Sequence, residues 1–150
     1  MKRIDKAFAY ITFDNELLCF KHVDSPNAGI QVPAGTIGKN EKSVEAVLRE
    51  AEEETGLKKF GIPMFLGCTE FDASTIGKTE IHKRHFFHLP FTGISVSSNW
   101  RHNELYSSDS SNGPIRFELF WLPVKEAVAS LGFGHGDMLH RLSFNQTIAR

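Results

Sequence analysis

The 150 residues suit a single domain spanning 1–150, long enough to bury a real core. Apolar residues make up 41% and charged residues 23% of the chain, with a formal net charge of −1. Such a composition excludes a disordered chain, and near-neutrality excludes a general electrostatic pull toward nucleic acid or anionic membrane.

Taken in order, KAFAYIT over 6–12 is rich in aromatic and β-forming residues, Asp14-Asn15 is a turn signal, and ELLCFK over 16–21 reads as the return strand of a hairpin. DSPNAG over 24–29 is a loop, and Ile30-Gln31-Val32 is a short strand that Pro33 stops. A helix is expected to start around Asn40, Glu41 and Ser43 and to end at Gly56, which suits a left-handed terminating position. Further strands are expected over 64–71, 80–89 and 115–122, followed by a short helix over 124–131. Residues 91–111 read as irregular, polar and Ser-rich. GFGHG over 132–136 is a glycine-rich loop without the Lys-Ser/Thr of a P-loop, and 137–149 read as a terminal helix. Strands around one central helix, with helices again at the end, give an α/β arrangement in which helices cover a sheet.

The two cysteines, Cys19 and Cys68, sit in strand-like apolar segments and are expected as buried, reduced thiols. Asp5 and Lys6 interrupt the N-terminal apolar stretch, so no secretory signal is expected and a cytoplasmic location is. No apolar run approaches a membrane span, and neither a membrane nor a stable nucleic-acid partner is expected.

The most informative stretch runs Gly35, five residues, Glu41, seven residues, then Arg49-Glu50-Ala51-Glu52-Glu53-Glu54-Thr55-Gly56-Leu57. On a helix, Glu50, Glu53 and Glu54 fall within an arc of roughly 100°. Val44, Val47, Leu48 and Ala51 fill a neighbouring arc that should pack on a core. Like charges at this spacing repel, so a positive partner is needed. Hard divalent cations take carboxylate oxygens, and Mg²⁺ uses a few of them together with substrate phosphates.

In this register Gly35, Glu41, Arg49, Glu50, Glu53, Glu54, Gly56 and Leu57 resemble the Nudix box. Seven fixed positions match by chance about once in 10⁸ starts at average residue usage. Ala51 departs from the larger aliphatic residue usual there, which touches packing and not chemistry. The resemblance rests on the box and its preceding loop, about a sixth of the chain by this alignment. It implies an α/β/α sandwich with a mixed, partly rolled β-sheet between helices. It also implies a Mg²⁺- or Mn²⁺-dependent hydrolase cleaving the pyrophosphate bond of a nucleoside diphosphate linked to a group X. The substrate expected is a small soluble nucleotide, a nucleoside di- or triphosphate, and the protein a monomer or homodimer. The alternative is a catalytically silent nucleotide-sensing module of the same fold. Such modules usually lose box glutamates, and all three are present here.

Carried over residue by residue, the resemblance makes Glu50, Glu53 and Glu54 metal ligands, with the Ala34 carbonyl as a backbone ligand. Gly35, Glu41, Arg49 and Gly56 take structural roles. Glu53 or Glu104 is the general base, with Glu80 and Glu118 as weaker candidates. Arg84, His102 and Trp100 are candidate substrate contacts. Phe86, Phe87, Tyr106 and Phe133 are further aromatic residues that could stack a base. His82, His85 and His88 share a strand, with His85 on the opposite face from the other two, and form no compact metal site.

Overall fold

The computed structural model describes residues 1–104 and 115–142. Strands β1 (Lys2–Phe13) and β2 (Glu16–His22) are joined by a turn in which Asp14 and Asn15 both take positive φ. They are followed by β3 (Ala34–Thr36), helix α1 (Ser43–Thr55), β4 (Met64–Asp72), β5 (Glu80–Pro90), β6 (Asn99–Glu104), β7 (Ile115–Pro123) and helix α2 (Val124–Ser130). The sheet runs β4-β5-β1-β2-β7-β6, with β3 added on β1. It is mixed, because β1 pairs parallel to β5 and antiparallel to β2 and β3.

Alternation along β1 divides the core between the two faces. Ala7, Ala9 and Ile11 face α1 and meet Val47 and Ala51, whereas Phe8 and Tyr10 face the α2 side and meet Phe86 and Ala127. Helices thus cover both faces of a mixed sheet that does not close.

The pairing of β1 with β2 creates the groove. These strands are in register only near their turn, at Thr12↔Leu17 and Phe13↔Glu16. Beyond that they splay, and residues 30–36 wedge between them. Gln31 exchanges backbone hydrogen bonds with Phe20 at 2.9 and 3.0 Å, and the Ala9 N–H donates to the Pro33 carbonyl at 2.8 Å. Residues 30–32 are therefore not the strand expected from their β-forming types. They make isolated bridges, and the short strand begins after Pro33.

Four other expectations change. Residues 99–104, read as irregular, form an edge strand on β7, because Trp100, His102 and Glu104 alternate toward α1 while their neighbours face solvent. Cys68 is exposed, lying on the outermost strand, while Cys19 is buried. Residues 137–142 do not start an α-helix: the Met138 N–H bonds to the Tyr10 hydroxyl at 3.1 Å, and only a single 3₁₀ turn forms at Leu139–Arg141. The remainder of that expected helix, 143–149, lies outside the described residues, as does Tyr106. Finally, α1 is turned slightly from the expected orientation: Val47, Leu48 and Ala51 pack on the core as expected, but Val44 is exposed and Glu50 and Glu54 are buried beside Ala46.

Candidate active site

The rotation of α1 turns two of its carboxylates inward, onto the wedge between β1 and β2. Gly35 makes room for this. A Cβ there would lie 2.0 Å from the Glu50 carboxyl carbon, so the Glu50 head occupies the space a side chain would need. Beside it, Glu54 Oε1 accepts the Ala34 N–H at 3.0 Å. Gly56 ends the helix at φ +78°, and a Cβ there would lie 3.0 Å from the His102 ring.

Arg49 organises the outer side of the cluster. Its Nε and Nη2 grip both oxygens of Glu41 at 2.8 and 3.0 Å. Its Nη1 donates to Glu50 at 2.7 Å and to Glu53 at 3.2 Å, and Nη2 also reaches the Thr36 carbonyl at 3.0 Å. Glu41 in turn accepts the Gly38 N–H at 2.8 Å. The Arg49 bonds and that N–H hold the Glu41 carboxyl below its usual range.

Strand β6 delivers Glu104 from the other side. The Trp100 indole N–H donates to the Thr55 carbonyl at 2.9 Å, and the His102 Nε2–H to the Glu53 carbonyl at 2.9 Å. Both bonds cap the last turn of α1 and dock β6 on it. Two residues further along the same face, Glu104 is buried against the cluster. One carboxylate oxygen each from Glu50, Glu53 and Glu104 lie within 4.8 Å of one another.

The electrostatics are strained in one direction. Burial raises the Glu50 carboxyl despite Arg49, with Glu53 adding to the rise. Burial, reinforced by the charges of Glu50 and Glu104, pushes Glu54 well above its ordinary value. A set of hard oxygen donors, buried apart from the half-buried Glu53 and short of positive charge, fits a divalent cation. The groove around it, about 280 Å³, is also lined by Lys6, His22, Arg49 and Phe117.

Against this geometry the comparisons are informative. The family profile described as NUDIX domain matches residues 3–142. The chain belongs to the Nudix family. It is an enzyme, a Nudix pyrophosphohydrolase, by the family match and its fold neighbours. Among solved structures, the E. coli dihydroneopterin triphosphate pyrophosphohydrolase is similar at TM-score 0.68 and 16% identity, over 94% of this chain and 95% of that one. The E. coli ORF135 protein matches at 0.63 and 22%, over 94% and 89%. The MutT NUDIX hydrolase from Burkholderia pseudomallei matches at 0.61 and 17%, over 95% and 99%. A comparison with curated proteins finds no significant match.

The Nudix domain brings together Glu50, Glu53, Glu54, Ala34, Gly35, Glu41, Arg49 and Glu104 around the groove. It does not bring Trp100 or His102 there. They line a separate hollow with Thr55, Gly56 and Leu57. Glu80 is bonded to His82 at 2.8 Å, and Glu118 is exposed on β7. Phe86 and Phe87 are core residues, while Phe133 and Arg84 line a second cavity continuous with the groove. Lys6, His22, Gln31 and His135 are lining residues that reading the sequence did not single out. His135 lies in the glycine-rich loop, where nothing in the local pattern signals burial. Among the described residues, no helix is long and apolar enough to cross a membrane.

Proposed function

We propose that the protein hydrolyses, with Mg²⁺ or Mn²⁺, the pyrophosphate bond of a nucleoside diphosphate linked to a group X. The substrate proposed is a small nucleotide or nucleotide-like di- or triphosphate. The observation carrying this is the convergence of Glu50, Glu53 and Glu104 within 4.8 Å at the floor of a groove. One fold neighbour is itself a triphosphate pyrophosphohydrolase, which supports the substrate class.

Glu50, Glu53 and Glu104 would hold the cation, joined by Glu54 and the Ala34 carbonyl. When bound, such a cation neutralises the pyrophosphate and makes its phosphorus open to attack by water. The chain's own residues supply the rest. Arg49 and Glu41 fix the outer carboxylates so that they are aimed before substrate arrives. Lys6, held to the Thr36 hydroxyl at 2.9 Å, stands at the groove as a cation for phosphate oxygens. Water adds to phosphorus, the bridging P–O bond breaks, and the water's proton leaves to a carboxylate. We assign that proton to Glu53, at the open side, or to Glu104, buried beside it, the other staying with Glu50 to hold the cation.

The test is a substrate screen with Mg²⁺ and with Mn²⁺ across nucleoside di- and triphosphates, nucleotide sugars and dinucleotides. It would follow phosphate and pyrophosphate release. Release that depends on metal and favours one substrate is the expected result. Nucleotide binding without any turnover would replace it with the sensing module.

A further inference from the structure

The second cavity, about 550 Å³, opens from the carboxylate groove and shares Lys6, His22, Gln31, Ala34 and Gly35 with it. Its size suits a small-molecule moiety. Its charge is opposite to that of its neighbour. Lys6, Lys78 and Arg84 line it, and among the described residues no Asp or Glu does.

Arg84 is the unusual residue. It is only 3% exposed, on β5, an interior strand flanked by β1 and β4. Its guanidinium is stacked between the rings of Phe71 and Phe8, 3.8 and 4.7 Å from their centroids. Both faces are therefore covered, and only the in-plane edge can bind anything. That edge is under-used. Of the five donors a guanidinium carries, one bonds among the described residues, to the Phe133 carbonyl, and the buried Nε has no partner there. Asp137 lies close enough to be felt but makes no ion pair with it. Burial lowers the Arg84 pKa to about 10, which leaves it charged at neutral pH. A buried cation so poorly compensated is unfavourable unless something anionic meets it.

His135 supplies a second idle donor. It is 7% exposed, and its Nδ1 accepts the Val32 N–H at 3.1 Å, so its proton sits on Nε2. That Nε2–H has no partner among the described residues. Burial keeps the ring neutral, with its pKa pushed down to about 3, so it donates without adding charge. A nucleobase, neutral overall, would satisfy the hydrogen-bonding edge but not the uncompensated guanidinium.

We infer that this cavity binds an anionic group, a phosphate monoester or carboxylate, on the part of the substrate that does not undergo cleavage, with Arg84, His135 and Lys78 as its specificity residues. The inference deepens the hydrolase reading and rests on it for calling the ligand part of a substrate.

Matched substrate pairs that differ by one anionic group test it: coenzyme A against dephospho-coenzyme A, and a uridine diphosphate hexuronate against the corresponding hexose. With metal present, the anionic member of at least one pair should show about 10- to 100-fold higher kcat/KM, the range for one charged hydrogen bond. Arg84→Gln should erase that preference, and Lys78→Gln, a milder change near the surface, should reduce it by several-fold. Equal rates within every pair, or a preference unchanged in both variants, would overturn the inference and leave the hydrolase reading standing. If no substrate is cleaved, that reading fails alone, and inorganic phosphate titrated calorimetrically into the metal-free protein decides the cavity. Without metal the carboxylate groove repels phosphate, so saturable binding that Arg84→Gln abolishes supports the anion site, and no binding overturns it.

Discussion

Arg49 lines the carboxylate groove and Arg84 the cavity that opens from it, and the contrast between them separates a scaffold from a receptor. Arg49 makes five hydrogen bonds within the domain, to Glu41, Glu50, Glu53 and the Thr36 carbonyl. Its bonds with Glu41 and Glu50 raise its own pKa. Arg84 makes one among the described residues and is destabilised as a cation by burial. A side chain with every donor used organises its neighbours, whereas one with idle donors in a cavity is available to a ligand. The same division holds for the two halves of the groove. One gathers carboxylates, and the other gathers cations with, among the described residues, no carboxylate in its lining.

The largest effect should come from the carboxylate half. Glu53→Gln keeps the side chain's shape but removes its charge, and turnover should fall by about 10³-fold, roughly 4 kcal/mol of transition-state stabilisation. The far-ultraviolet circular dichroism should stay unchanged. Near-normal turnover in this variant would remove Glu53 from the chemistry. Gly35→Ala should follow at about 10²-fold, because the added methyl claims the space of the Glu50 carboxylate. The check is kcat with metal titrated to saturation. Full recovery at high metal would show that only affinity was lost.

How far the sequence alone reaches is visible in the same residues. Helix α1 and its carboxylates were legible because they are written at fixed local spacing, from Gly35 to Leu57. The α/β layering was legible too, since the β-forming run in β1, the rough alternation in β5 and the helical periodicity in α1 are local signals. The helix's rotation was not. It depends on the space beside Gly35, which lies eight residues outside α1. Trp100 and His102 looked like substrate contacts because aromatic and imidazole groups suit nucleotides. Their polar atoms instead dock β6 on α1 and so carry Glu104 to its place. The wedge at residues 30–36 and the burial of His135 arise from long-range packing that no window of sequence contains.

The contrast between the arginines sharpens when stability replaces activity as the readout. Arg49→Lys loses the bidentate grip on Glu41 and leaves neighbouring carboxylates facing each other, at a cost of about 2 kcal/mol in chemical denaturation. Arg84→Met replaces an under-bonded buried cation with an apolar chain that can lie between Phe8 and Phe71. Its stability should be unchanged or higher. A large loss in the methionine variant would mean that Arg84 is a structural residue like Arg49, and the distinction would collapse.

His135 gives the cavity half a signature in pH. The folded ring stays neutral down to about 3, whereas in the unfolded chain it takes up a proton below its ordinary 6.5. Unfolding therefore gains a proton in that window. Stability is fully present above pH 6.5 and falls as pH drops toward 3, by about 1.4 kcal/mol per pH unit from this group. His22, His82 and His88 are shifted the same way by burial and add to the wild-type slope. In His135→Gln the stability lost between pH 7 and pH 5 should shrink by about 2 kcal/mol, measured by urea unfolding at both values. An unchanged slope would mean that the ring is not held neutral.

The smallest effect tests how β6 positions Glu104. Trp100→Phe keeps most of the packing but deletes the indole N–H that bonds to the Thr55 carbonyl. That should cost about 1 kcal/mol of stability, the net worth of one such hydrogen bond. The informative readout is kinetic. If β6 merely covers the core, kcat/KM should track the small stability loss only near the unfolding transition and be normal at low temperature. If Trp100 holds Glu104 against Glu50 and Glu53, kcat should fall several-fold in fully folded enzyme with KM nearly unchanged. A hydrogen bond at the far end of a six-residue strand would then be setting the geometry of the carboxylate cluster.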